Sequence, residues 1–100
     1  MKTIKTVEIE PVFVEFLPSV DKMEEGKVYI SQRFKTSGHR CLCGCGHLTI
    51  LPLDVVIDGQ DMGWHMTEKD GKVSFTPSIG NYQLPCKSHY IITKNKANFV

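Results

Sequence analysis

Residues 39–53 read His39-Arg40-Cys41-Leu42-Cys43-Gly44-Cys45-Gly46-His47-Leu48-Thr49-Ile50-Leu51-Pro52-Leu53, and this stretch decides how the rest of the chain is understood. Three cysteines stand at single-residue spacing with Gly44 and Gly46 interleaved, and His47 to Leu53 then reads as a strand. A disulfide between cysteines one residue apart closes a small, strained ring, because the bridge wants Cα atoms roughly 5.5 Å apart at a specific dihedral. Sharing a soft metal is easier. Thiolates select zinc or iron, and glycine lets the backbone fold tightly enough for several sulfurs to converge on one ion. The fourth ligand of a tetrahedral zinc is then Cys86, the one other cysteine of the chain, and His39 and His47 can each replace a sulfur. Linking Cys86 to the cluster would staple the middle of the fold to its C-terminal hairpin. The spacing departs from the paired C-x₂-C knuckles of a zinc ribbon, so a metal-free thiol cluster and a redox or nucleophilic cysteine stay open. Four-cysteine iron–sulfur ligation fits such tight spacing less well than zinc.

Outward from the cluster, the chain reads as a single domain, mainly β: a small antiparallel sheet fold stapled by the zinc site, with at most one short helix. One hundred residues make one domain and not two. Within 1–100, residues 1–20 form an N-terminal strand segment and 27–100 the motif-bearing core. Val7 to Leu17 alternates as a strand, with Pro11 marking an edge, a bulge or a break. Ser19 to Gly26 reads equally as a helical turn capped by Ser19 or as a polar loop. Lys27 to Ser31 is a short strand. Asp61–Thr67 and Lys72–Thr76 flank the turn Glu68-Lys69-Asp70-Gly71, and His89–Thr93 and Ala97–Val100 flank Lys94-Asn95-Lys96, which makes two hairpins. Pro77-Ser78-Ile79-Gly80-Asn81 reads as a loop. Trp64 is expected to fill core space with Val73, Phe75 and Ile79.

Charge and hydropathy exclude whole classes of function. Twelve Lys+Arg against eleven Asp+Glu leave a formal charge of +1, without the cationic excess of a duplex nucleic-acid binder. Tyr29, Tyr82 and Tyr90 are not spaced as a stacking platform for single strands. A hydrophobic fraction of 41% is too rich for a disordered chain. Apolar runs such as Val55-Val56-Ile57 are far too short to span a bilayer, and no signal peptide or lipidation signal is visible. The expectation is a cytoplasmic protein in a reducing compartment, where clustered cysteines favour metal over disulfides. Oligomeric state is not legible.

Three motifs in order, His39-x-Cys41-x-Cys43-Gly44-Cys45-Gly46, Pro77-Ser78-Ile79-Gly80-Asn81 and Cys86-x-Ser88-His89-Tyr90, with Trp64 between the first two, resemble a family of small bacterial and phage proteins. The family is known mainly as a domain of unknown function, and the match covers roughly Lys27 to Val100. Some relatives are encoded beside bacterial ubiquitin-like conjugation genes, where they look like peptidases that process or remove the modifier. The resemblance therefore implies a peptidase-like hydrolase whose partner is a protein, a ubiquitin-like modifier or its conjugates, and with the cysteine reading above the expectation is a zinc-binding hydrolase of that kind.

A serine hydrolase needs a base within hydrogen-bond reach of its nucleophile. Ser88 and His89 are adjacent, and adjacent strand side chains point to opposite faces, so they make a poor pair with each other. Ser78 can meet His89 across the fold, or Ser88 can meet His39 or His65. Ser78, Ser88 and His89 are thus the catalytic candidates. A zinc hydrolase with three protein ligands, a bound water and Glu68 or Asp61 as base is the other route, and four sulfurs would close it. The rival classes are a non-catalytic zinc module that docks a protein partner, and a thiol redox sensor.

Overall fold

The computed structural model describes residues 6–54, 56–61, 63–76, 78–81 and 86–99. Val55, Pro77, Tyr82 and Val100, which figure in the sequence reading, lie outside the described residues. Among the described residues, two four-stranded sheets and two short ribbons make up the fold. The first sheet runs β1(Thr6–Glu8), β12(Lys96–Phe99), β11(His89–Thr93), β10(Ile79–Gly80), all antiparallel. The second runs β2(Glu10–Phe13), β3(Lys27–Ser31), β4(Thr36–Arg40), β5(Leu48–Pro52). The ribbons are β6(Val56–Ile57) with β7(Gln60–Asp61), and β8(His65–Lys69) with β9(Lys72–Thr76).

The chain is mainly β, as its alternation predicts, with differences that have local causes. The long first strand splits at Ile9, which is buried, and ends at Phe13. Its halves serve different sheets: β1 pairs antiparallel with β12, and β2 pairs parallel with β3. Pro11, which cannot donate to a ladder, accordingly sits on the edge strand β2. The segment Ser19 to Gly26 contains a single 3₁₀ turn, Val20–Lys22. Strand β4 escapes sequence reading because Thr36-Ser37-Gly38-His39-Arg40 has neither alternation nor apolar content. Its position between β3 and β5 makes it a strand. Both predicted hairpins close more tightly than expected: Asp70-Gly71 and Lys94-Asn95 each have two positive φ angles, the two-residue turn that matches strand twist. Lys69 and Lys96 are therefore strand residues. Asp61 pairs in a separate ribbon and does not continue into β8.

One core joins the two sheets and the second ribbon. Val28, Ile30 and Leu51 of the second sheet, Tyr90, Ile92 and Ala97 of the first, and Val73 and Phe75 from β9 share one buried cluster. Trp64 packs partly buried against this cluster, as expected. Ribbon β8–β9 is tied to the β11–β12 turn by Asn95, whose amide N–H donates to Val73 O at 2.9 Å and whose side-chain Oδ1 accepts from Val73 N at 2.7 Å.

The crossing between β2 and β3 covers the other face of the second sheet at Gly38, while Leu48 and Ile50 of β5 on that face stay exposed. A Cβ placed on Gly38 would lie 3.0 Å from Ile50 Cδ1, 3.2 Å from Leu17 Cδ1 and 3.3 Å from Met23 Cε, so Gly38 is where that crossing approaches the sheet most closely. Gly38→Val is expected to destabilise the protein by about 1–3 kcal/mol through overpacking. The check is a lowered urea midpoint at unchanged slope.

Candidate active site and metal centre

The four-cysteine cluster is assembled from two separate pieces of chain. Between β4 and β5 the backbone makes a tight knuckle, with Gly44 and Gly46 at φ 96° and 81°, values that side-chain-bearing residues rarely adopt. Gly44 N–H donates to Cys41 O at 3.1 Å, and Cys41 N–H to His47 O at 2.7 Å. This turns Cys41, Cys43 and Cys45 inward, and Cys86 arrives just before β11. All four Sγ atoms lie within 4.8 Å of one another. Cys41–Cys43 is 3.3 Å, and Cys41–Cys86 and Cys45–Cys86 are 3.6 Å. These are too long for disulfide bonds and close to the roughly 3.8 Å edge of a sulfur tetrahedron around zinc at about 2.3 Å. The donor set and its geometry fit a metal ion.

Neither flanking histidine joins the sulfurs. His39 is fully buried and its Nε2 lies 2.6 Å from Tyr90 Oη; His47 is exposed and contributes its carbonyl. Glu68 is exposed on β8, and of Asp61 only the backbone is described. Among the described residues the group of four sulfurs is thus complete without an acid or an imidazole.

Cys43 and Cys45 are pushed in the opposite direction to Cys86. Burial and then the Cys41 thiol push Cys43 up to about 12, and burial also raises Cys45. The Ser88 hydroxyl pulls Cys86 down to about 6 by hydrogen bonding to its thiolate. A divalent ion removes this conflict, since a coordinating thiol is deprotonated outright.

A buried polar network backs the sulfurs. Ser88 Oγ is 3.0 Å from Cys41 Sγ and 3.4 Å from Cys86 Sγ, and it accepts from Asn81 Nδ2 at 3.0 Å. Asn81 Nδ2 also lies 3.3 Å from Tyr90 Oη, and Asn81 Oδ1 accepts from Thr49 Oγ1 at 3.1 Å. Burial alone holds His39 down at about 4, so its ring is neutral against Tyr90, while the same burial raises the Tyr90 phenol. The structure does not bring Ser88 to a histidine: His39 is engaged by Tyr90, and His65 Nδ1 lies 2.7 Å from Asp54 Oδ1.

Ser78 and His89 do meet. Ser78 Oγ is 2.7 Å from His89 Nε2. The contact follows from register: β10 pairs with β11 so that Gly80 stands opposite His89 and Ile79 opposite Tyr90. Directly opposed residues of an antiparallel pair share a face, so His89 can lean past Gly80, which has no side chain, to reach Ser78. The Trp64 indole N–H donates to Ser78 O at 3.3 Å and holds that residue from the other side. Sequence reasoning named Ser78 and His89 but treated 77–81 as a loop, and missed Gly80, Asn81 and Trp64 as parts of the site. Two residues of strand give no alternation to read, whereas a glycine two positions after a serine was a signal available for a close approach.

These features define a class: a small β domain with a four-cysteine metal-type knuckle and, on a neighbouring strand pair, a serine within hydrogen-bond distance of a histidine. The model of one protein family, described as bacterial ubiquitination-like system serine protease (BubE), matches residues 13–100, and the chain belongs to that family. No curated protein and no solved structure matches the chain significantly. Among the described residues no helix is long and apolar enough to cross a membrane.

Proposed function

We propose that this protein is a serine protease that cleaves a ubiquitin-like modifier or its conjugates, with Ser78 as nucleophile, His89 as base and a structural zinc on Cys41, Cys43, Cys45 and Cys86. The observation that carries the reading is the 2.7 Å separation of Ser78 Oγ and His89 Nε2 in a chain of this family. With its ring proton on Nδ1, His89 accepts the Ser78 proton as Oγ attacks the scissile carbonyl carbon. The same proton passes to the leaving amine as the C–N bond breaks. Water then hydrolyses the acyl-serine ester, with His89 taking a proton from water and returning it to Ser78.

Zinc supplies cohesion in this scheme, not a reacting group. Held by Cys41, Cys43, Cys45 and Cys86, a zinc would have its usual complement of four protein ligands and play a structural part. Cys86 is three residues from His89, so a zinc held by Cys86 would anchor the entry into β11 and with it the base. Ser88 is assigned to the surroundings of the metal because its hydroxyl is engaged with Cys41, Cys86 and Asn81. Such supporting partners typically affect metal affinity about 10–100-fold. Ser88→Ala and Asn81→Ala are accordingly expected to weaken zinc binding by about that factor, read by competition with a chromophoric chelator, while zinc-saturated protein keeps most of its activity. Abolished activity in zinc-saturated Ser88→Ala would return Ser88 to the nucleophile's place.

The direct test of the reading is cleavage of a C-terminally extended ubiquitin-like modifier, together with labelling by a fluorophosphonate. Label found on Ser78, and lost in Ser78→Ala, supports the assignment. Protein that holds zinc but neither cleaves nor labels is a non-catalytic module.

A further inference from the structure

We infer that the substrate segment of this enzyme binds as an added β-strand on the free edge of β10, its backbone pairing with Gly80 while the scissile carbonyl lies at Ser78. The inference rests on the Ser78–His89 reading above and adds the conformation of the substrate and the residue that receives it.

The ladder geometry is specific about which groups face outward. Asn81 N–H donates to Ser88 O at 2.7 Å, which makes Asn81 and Ser88 a hydrogen-bonded pair of the antiparallel ladder. Hydrogen-bonded and non-bonded pairs alternate, so Gly80 and His89, next in register, form a non-bonded pair. The N–H and C=O of Gly80 therefore point away from β11. The sheet order ends at β10, and among the described residues no strand pairs with its other side. Gly80 is exposed. One residue thus offers one outward donor and one outward acceptor, the complement of a single residue of an extended chain.

The position of this edge gives it a function. Gly80 lies two residues from Ser78 and opposite His89, so a strand laid along it passes the nucleophile within one or two residues. Trp64, bonded to Ser78 O, stands at the end of the open stretch. Unprotected edges invite unwanted pairing and are usually blunted. Here the open stretch is as short as one residue, enough to align a substrate backbone and too little to seed a sheet. Glycine also leaves the ligand's backbone room to approach. The occupant is an extended peptide recognised through its main chain, as a flexible tail presents it; a folded helix or a globular surface cannot supply the paired N–H and C=O.

The experiment uses the intact zinc-loaded protein and a set of N-acyl tetra-alanyl diphenyl phosphonates. In these, Ser78 Oγ forms a bond to phosphorus, phenol leaves, and the serine proton passes through His89 to the phenolate. Each amide of the probe is replaced in turn by an ester, which deletes one N–H and adds almost no bulk. Inactivation is expected to slow roughly tenfold or more at the one position that donates to Gly80 O, with smaller effects at its neighbours. A scan that is flat across all positions, with a small fluorophosphonate still labelling Ser78, overturns edge binding and leaves the dyad standing. Failure of the fluorophosphonate to label Ser78 overturns the dyad and the inference with it.

Discussion

Stripping the protein of zinc with a high-affinity chelator is expected to unfold it, and the freshly purified protein is expected to carry about one zinc per chain. Structural zinc sites contribute on the order of 10–16 kcal/mol of apparent binding free energy, comparable to or larger than the 5–15 kcal/mol net stability of an ordinary domain. The reason it should matter so much here is topological. Cys41, Cys43 and Cys45 sit between β4 and β5 in one sheet, and Cys86 precedes β11 in the other. A zinc held by all four would link the two sheets directly. Cys41 itself is fully buried in the core, so an unpaired, crowded thiol cluster is what remains after metal loss. Cys86→Ser is expected to lower the melting temperature by roughly 15 °C or more, from a loss of several kcal/mol in a domain of this size. Fluorescence of Trp64, the single tryptophan, reports the transition. Purified protein without zinc, whose melting is indifferent to chelator, would remove the metal from the account.

Ser78→Ala is expected to lower kcat/KM on the modifier substrate by about 10³–10⁴-fold, a loss of roughly 4–5.5 kcal/mol of transition-state stabilisation. His89→Ala should cost a similar factor, and the double variant should be little worse than either alone, because a nucleophile and its base act as one unit. Stability should separate this pair from the cysteine cluster. Ser78 is half-buried at the edge of its sheet, outside the fully buried core, so Ser78→Ala should hold its zinc and melt within a few degrees of the parent. Ser88→Ala is expected to show the opposite pattern, with weakened metal binding and retained turnover. Activity surviving in Ser78→Ala would break the assignment, whatever the zinc content.

Much of the architecture is legible along the chain because its causes are local. Alternation marks β5, β9 and β11, whose burial patterns follow it residue by residue. Turn chemistry marks both long hairpins. What resisted reading was held in place by neighbours. Thr36-Ser37-Gly38-His39-Arg40 has a strand's conformation because β3 and β5 flank it, and Gly38 is tolerated there because Leu17 and Met23 cover it. The split at Ile9 serves two sheets at once, which no window on residues 7–17 can reveal. Ser88 looks as good a nucleophile as Ser78 in one dimension; a hydroxyl's partners lie forty-seven residues away at Cys41 in one case and eleven away at His89 in the other.

The sequence by itself determined the cysteine chemistry: three thiols spaced by one residue and interleaved with glycine cannot readily form disulfides and must turn tightly, a constraint of covalent geometry that needs no partner strand. It also carried the class of fold and the family motifs. Only the tertiary structure decided that Ser78 meets His89 while Ser88 meets the sulfurs, that four sulfurs converge without an imidazole, and that the N–H and C=O of Gly80 face away from β11. Those outcomes depend on strand register and on contacts across the core, and register is set by the whole packed sheet.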